Sequence, residues 1–298
     1  MTHDPTARPA PEFPAVDRNR TLLERARHHV YKSVGDADLD AYVFPPDGAG
    51  GVAEEGLEGA RACAVFFFGS KWDNGMVSQF APQAVYFASR GMVSVVVDYR
   101  VAARHPGATP EQAMADARSA FRWVRENAAE LGIDPEKVVG VGASAGAHAI
   151  VAAAAIKGYD EPDEDANVSG KPNALVLFSP IVDISRRGLG ADRFGSPVLA
   201  RQANPLRHVR KGLPPTIVFH GKSDRVIPSK GIRKFCRKLR WRRVPCQLVE
   251  FEGAGHGFFN FNVDARLYEA TVTGADRFLS EHGFLSSSVD ASATSRLT

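Results

Sequence analysis

Six short apolar runs recur along this chain, each rich in β-branched or aromatic residues: Ala64 to Phe68, Met92 to Val97, Lys137 to Val141, Ala174 to Phe178, Thr216 to Phe219 and Gln247 to Phe251. Runs of this length and make-up read as buried strands. What separates them narrows the fold. The clearest intervening pattern opens at Thr109, whose side chain can cap a helix, with Pro110 at the first helical position and Gln112 placed to complete a capping box. Met114, Ala117, Phe121, Val124, Ala128 and Leu131 then recur at spacings of three and four, one buried face, until Gly132 stops the helix. Further helices are expected over Ser78 to Ser89, Ala145 to Lys157, Lys230 to Trp241 and Ala265 to His282. Strands that alternate with helices pair in parallel and are covered on both faces, so the expectation is an α/β fold with a mostly parallel sheet. Val30 to Val34 and Leu39 to Phe44 have no helix between them and are expected as an antiparallel hairpin at the sheet edge. The stretch Asp183 to Pro214 has no clear strand and reads as a lid-like excursion, with a short helix near Pro205 to Lys211.

A chain of 298 residues with 44% hydrophobic content suffices for one sizeable core. The expected domain is 20–285, between disordered tails 1–19 and 286–298 that are rich in proline and charge or in small polar residues. A net charge of +3 implies no general need for an acidic partner. The basic face Lys230, Arg233, Lys234, Arg237 and Lys238, opposite Ile232, Phe235, Cys236 and Leu239, reads as solvated helix surface rather than a nucleic-acid patch. Asp160 to Asp165 reads as a loop. Three cysteines, Cys63, Cys236 and Cys246, are too few and too irregularly spaced for a disulfide framework or a zinc site. With no apolar leader and no run near the ~18 apolar residues of a membrane span, the expectation is a soluble, cytoplasmic protein with no membrane partner.

Gly142-Ala143-Ser144-Ala145-Gly146 matches G-x-S-x-G. The pattern alone is weak, but it follows the strand Lys137 to Val141 and opens a helix, the strand, sharp turn and helix of a nucleophile elbow. A capping serine in a Gly-rich turn is the plain alternative. A serine hydroxyl needs a base, and the base needs an orienting group. Among the histidines downstream, His256 lies in Gly255-His256-Gly257 just after the last expected strand, where a loop reaches the site. His208 and His282 fall in helical patterns, and His220 ends a strand as a packing or hydrogen-bonding residue. Asp224, in the loop beyond Thr216 to Phe219, is the candidate acid; Asp183 is its rival and reads as loop-ordering. Amides of Ala145 and of the loop Phe68-Gly69-Ser70-Lys71-Trp72 are the candidate oxyanion donors.

Phe68 to Trp72, Asp98-Tyr99-Arg100, the Ser144 elbow, the Asp224 loop and Gly255-His256-Gly257-Phe258 together resemble the hormone-sensitive-lipase-like carboxylesterases, above all their compact acetyl and carbohydrate esterases. The resemblance spans roughly Val30 to Phe284. It implies the α/β-hydrolase fold and hydrolysis of a small-molecule ester through an acyl-enzyme, without cofactor or metal. The site residues it implies are Ser144, Asp224 and His256, oxyanion amides of Ser70, Lys71 and Ala145, and a pocket bordered by Gly69, Trp72 and Phe258. Where that family usually carries His-Gly-Gly-Gly, this chain reads Phe68-Gly69-Ser70-Lys71. An amidase of arylformamidase type, or a binding protein on a hydrolase scaffold, remains open at the level of sequence.

Overall fold

In the computed structural model the described residues are 15–35, 37–46, 60–185 and 189–286. Helix α1 (Ala15–Leu23) leads into the hairpin strands β1 (Arg27–Val34) and β2 (Ala37–Phe44). Then come β3 (Arg61–Phe67), α2 (Ala81–Ser89), β4 (Val93–Val97), α3 (Pro110–Glu126), the short α4 (Ala128–Leu131), β5 (Ile133–Ala143) and α5 (Ser144–Ala155). The chain continues through β6 (Ala174–Phe178), α6 (Pro197–Gln202), β7 (Thr216–Gly221), α7 (Ser229–Trp241), β8 (Cys246–Phe251) and α8 (Ala265–Glu281). α1 begins inside the expected tail 1–19; residues 1–14 and 287–298 lie outside the described residues.

The eight strands form one sheet in the order β1-β2-β4-β3-β5-β6-β7-β8. β1 and β2 pair antiparallel, as do β2 and β4; every later pair is parallel. The hairpin therefore sits at the edge, and the parallel core is apolar on both faces: β4, β6 and β7 are buried at every residue. The chain runs from β3 outward to β4, then returns across β3 to β5. That reversal opens a crevice beyond the carboxyl ends of β3 and β5, where ligands of such sheets bind.

Local chemistry explains several element ends. Thr109 Oγ1 accepts from Gln112 N at 3.4 Å while Gln112 Oε1 accepts from Thr109 N at 3.0 Å, the capping box expected there. Gly132, at φ 67°, terminates α4 in the left-handed conformation. The single helix expected from Pro110 to Leu131 is interrupted at Asn127, whose Nδ2 donates to Trp123 O at 2.7 Å and competes with the helical ladder. In the excursion 183–214, the helix near 205–211 is only the single 3₁₀ turn Pro205–Arg207. The α-helix of that region is α6, capped by Ser196 Oγ, which accepts from Leu199 N at 3.2 Å.

Candidate active site

Ser144 stands at the junction of β5 and α5 with φ 52°, a left-handed conformation that costs a non-glycine residue roughly 1–2 kcal/mol. The glycines on either side make the turn possible by allowing close packing. A Cβ on Gly146 would lie 2.4 Å from Phe68 O and one on Gly142 would lie 2.9 Å from Ala147 N. The turn is held from outside as well, since Ile181 N donates to Ser144 O at 3.3 Å. Ser144 is only 3% exposed and its Oγ has no hydrogen-bond partner among the described residues. It faces a cavity of about 340 Å³ shared with His256, Gly69, Ser70, Lys71, Gln79 and Phe259.

His256 reaches that cavity from the loop after β8, and Asp224 lies behind it on the loop after β7. His256 Nδ1 is 2.8 Å from Asp224 Oδ2. The other carboxylate oxygen accepts from Val226 N at 2.8 Å and Ile227 N at 2.9 Å. Burial resists the negative charge on Asp224, yet the His256 hydrogen bond and these two amides outweigh it and hold the carboxyl at about 2. An anion fixed behind Nδ1 keeps a proton there and leaves Nε2 as the ring nitrogen able to accept another. The rival acid, Asp183, is spent locally: its Oδ1 accepts from Ser185 N at 3.1 Å and from Asn204 Nδ2 at 3.3 Å. His208 and His282 bond to Gln202 O and Phe278 O within their own segments. His220 is fully buried, with Nδ1 3.8 Å from Asp224 Oδ2.

The opposite wall is the loop after β3. Gly69 N is taken by Gln79 Oε1 at 2.7 Å, whereas the Ser70 and Lys71 amides have no acceptor among the described residues. Ser70, which stands where the resembled esterases carry a glycine, has its hydroxyl bonded beneath the loop. Ser70 Oγ accepts from Trp72 N at 3.0 Å and shares a hydrogen bond with Tyr99 Oη at 2.8 Å, and Tyr99 Oη donates to Phe68 O at 2.7 Å. Lys71 and Trp72 both adopt left-handed φ, 54° and 59°, and the Lys71 side chain is exposed.

Two expected pocket residues belong elsewhere. The Trp72 backbone turns its indole beneath the loop, where it packs edge-on against His148 at 5.2 Å and Phe194 at 5.8 Å. Phe258 is 2% exposed and packs on Phe251 at 5.1 Å, because the turn from Gly257 to Asn260 sends it inward and leaves Phe259 on the cavity wall. Sequence reading also missed the bridge across the cavity. Gln79 Nε2 donates to Asn260 Oδ1 at 3.2 Å, and Asn260 Nδ2 donates to Gly257 O at 2.8 Å, so the loop of Gly69 is tied to the loop of His256. Nothing in the local sequence of Gln79 marks it for that role. Among the described residues no group of three or more His, Cys, Asp or Glu could hold a metal ion, and no helix is long and apolar enough to cross a membrane.

A sheet reversed at β3 and β5, with a strained serine at the reversal and an aspartate-backed histidine facing it, defines an α/β-hydrolase. The family model BD-FAE matches residues 54–239, more than half of the sequence, and the chain belongs to that family. Esterase 2 of Thermogutta terrifontis, solved after phosphoramylation by tabun, is 42% identical, with a TM-score of 0.82 over 89% of this chain and 98% of that one. The same esterase has been solved with propionate bound, at 41% identity, a TM-score of 0.82 and coverage of 89% and 97%. Esterase LipC of Mycobacterium tuberculosis is 29% identical over 193 residues, 57% of this chain and 46% of that protein. The chain thus spans about half the length of the curated relatives it matches, or less.

Proposed function

We propose that this protein is a serine carboxylesterase for short-chain acyl esters, with Ser144 as nucleophile, His256 as general base and acid, and Asp224 as the group that orients His256. The observation that carries the reading is the shared cavity. Ser144 Oγ and His256 face one space, and Asp224 lies 2.8 Å behind the far ring nitrogen. In the first half-reaction Ser144 Oγ attacks the ester carbonyl carbon while His256 Nε2 takes the hydroxyl proton. The amides of Ala145, Ser70 and Lys71 receive the oxyanion. Collapse breaks the carbon–oxygen bond to the alcohol, which leaves with the proton from His256. Water, deprotonated by the same nitrogen, then attacks the acyl-enzyme and releases the acid and Ser144. No hydrogen bond joins Ser144 Oγ to His256; such bonds often align only in the complex.

The short-chain preference is supported by the cavity's size, about 340 Å³, and by Asp73, Asn74 and Gln79 along its wall, which offer no long apolar channel. The propionate held by the Thermogutta esterase is an acid of that length. Ser144→Ala should lower kcat on p-nitrophenyl acetate by about 10³-fold or more with the thermal midpoint unchanged. A fluorophosphonate should modify wild type at Ser144 alone. Modification of a different serine, or a variant retaining most of its rate, would overturn the assignment.

A further inference from the structure

Helix α7 is held to the sheet by one face only. Ile232, Phe235, Cys236 and Leu239 are buried against the core. Lys230, Lys234, Arg237 and Trp241 follow one another at spacings of four, three and four, so they share the opposite face, a ridge about 16 Å long. All four are exposed, and Trp241, at 71%, is the most exposed large apolar side chain among the described residues. Arg233 and Arg240 flank the ridge on one side and Lys238 on the other. Sequence alone reads these cations as a solvated face; the exposed indole in line with them is what the fold adds.

Little on the protein answers this charge. The helix carries no acidic residue, and of its cations only Arg233 meets a carboxylate, Glu250 Oε1 at 3.0 Å. Lys230, Lys234 and Arg237 have no ion pair or hydrogen bond among the described residues. Lys238 Nζ donates to Leu206 O at 2.8 Å, next to exposed Arg207, and burial together with the charges of Lys234, Arg242 and Arg207 lowers its ammonium. The Arg242 guanidinium lies over the Trp241 ring, 4.3 Å from its centroid. The arrangement works against the helix itself. Lys230 and Lys234, Arg233 and Arg237, and Lys234 and Lys238 set like charges one turn apart, and Lys230 puts a cation in the first turn, where the dipole favours an acid. None of this serves the packing of α7, which its inward face secures.

We propose that this ridge is a peripheral docking surface for an anionic lipid bilayer, with Lys230, Lys234 and Arg237 against the headgroups and Trp241 at the level of the lipid interface. Such a partner complements each feature: it is negative, it is flat enough to meet a convex ridge, and its headgroup layer is where tryptophan collects. A nucleic-acid strand fits worse, because proteins hold it in a groove with successive stacked aromatics, and here a ridge carries a single exposed ring. Among the described residues no helix is long and apolar enough to cross a membrane, so the contact lies on the surface. None of the four ridge residues borders the cavity of Ser144, so docking and the hydrolysis of a soluble ester are separate readouts.

The full chain is sedimented with vesicles of phosphatidylcholine containing phosphatidylglycerol, and with vesicles of phosphatidylcholine alone, at low and at high salt. The expected result is binding to the anionic vesicles only, lost at high salt. Binding should shift tryptophan emission to the blue, and Trp241→Ala should remove the shift, since Trp72 is buried and Trp123 half-buried. Each cation near the surface is worth about fivefold in affinity, so Lys234→Ala combined with Arg237→Ala should bind about 30-fold more weakly. Lys137→Ala combined with Lys171→Ala removes as much charge from exposed positions elsewhere and should bind as wild type does. Every variant should hydrolyse p-nitrophenyl acetate at the wild-type rate, which reports an intact fold. No binding of wild type to anionic vesicles, equal losses in the two double variants, or a blue shift that survives Trp241→Ala would overturn the proposal. So would binding of a single-stranded oligonucleotide in preference to the vesicles.

Discussion

Gln79 carries more of the site's geometry than its place in the sequence announces. Its Oε1 accepts from Gly69 N and its Nε2 donates to Asn260, so its amide orientation is fixed and the two walls of the cavity cannot drift independently. Gln79→Ala should lower kcat about tenfold, the effect of one well-placed hydrogen bond, with a smaller change in KM. Gln79→Glu keeps the Gly69 contact, sets an acceptor against Asn260 Oδ1 and adds negative charge beside the proposed oxyanion amides, so its kcat should fall further, about 100-fold. Steady-state kinetics of both variants decide the matter; a loss confined to KM would make Gln79 a substrate contact instead. The contrast with Ser144 shows what sequence discloses at this scale. Ser144, Asp224 and His256, which the fold brings together, can be singled out in the sequence because each sits in a motif with a definite backbone context. Trp72 and Phe258 pack away from the cavity although each neighbours a motif, because such a position says nothing of side-chain direction, which a left-handed φ at Trp72 and the turn after Gly257 decide.

Helix α5 does more than present Ser144. One turn on, His148 is fully buried, its Nε2 2.9 Å from Ala203 O, so that nitrogen carries the proton and the ring is neutral. Burial pushes its pKa down to about 4, the Ala203 contact only partly opposing. An unfolded histidine titrates near 6.5, so below that pH the unfolded chain binds a proton that the fold refuses. The stability contributed by keeping His148 neutral is full above about 6.5 and lost as pH falls toward 4, by ~3 kcal/mol across the window. Burial lowers buried His220 as well, with the same sign. Asp224 titrates lower still, its contribution fading only as pH falls from about 4 toward 2. Urea midpoints at pH 7 and pH 4.5 should therefore converge in His148→Gln relative to wild type, and parallel losses in the two proteins would sink this account. At the element scale the sequence was most legible in the strands, where a buried run between two turns has few readings. Helix breaks were harder: α6 and the interruption at Asn127 depend on single side chains, Ser196 and Asn127, that bond backbone rather than repeat a pattern.

Across the whole molecule, elements distant in sequence are joined by charge. Asp116 on α3 is fully buried, with Oδ1 2.7 Å from Lys32 Nζ on β1 and 2.6 Å from Arg100 Nη2, while Arg100 N donates to Oδ2 at 2.9 Å. Glu161, in the acidic stretch after α5, closes the ring at 2.6 Å from Lys32 and 2.8 Å from Arg100. The stretch from Asp160 to Asp165 is thus more than a connecting loop, a fact invisible without the fold because its partners come from β1, the segment after β4, and α3. Burial decides which of these pairs matter. Asp116→Ala would leave Lys32 and Arg100, whose side chains are 10% and 8% exposed, sharing only Glu161, which is itself 30% exposed. Breaking a buried pair in this way costs about 3–5 kcal/mol, roughly 10 °C in Tm for a domain of this size. Asp160 pairs with Arg118 and Arg122 but is itself 38% exposed, so solvent screens its charge. Asp160→Ala strips the 5%-exposed Arg118 of its carboxylate but leaves Glu164 on Arg122, so it should cost less than Asp116→Ala, about 1–2 kcal/mol. Urea unfolding of the two variants at low and high salt tests the ordering: Asp116→Ala should be the larger loss and nearly independent of salt, Asp160→Ala the smaller and salt-sensitive. The reverse order would mean that the ring at Asp116 is not what holds β1, α3 and the loop after α5 together.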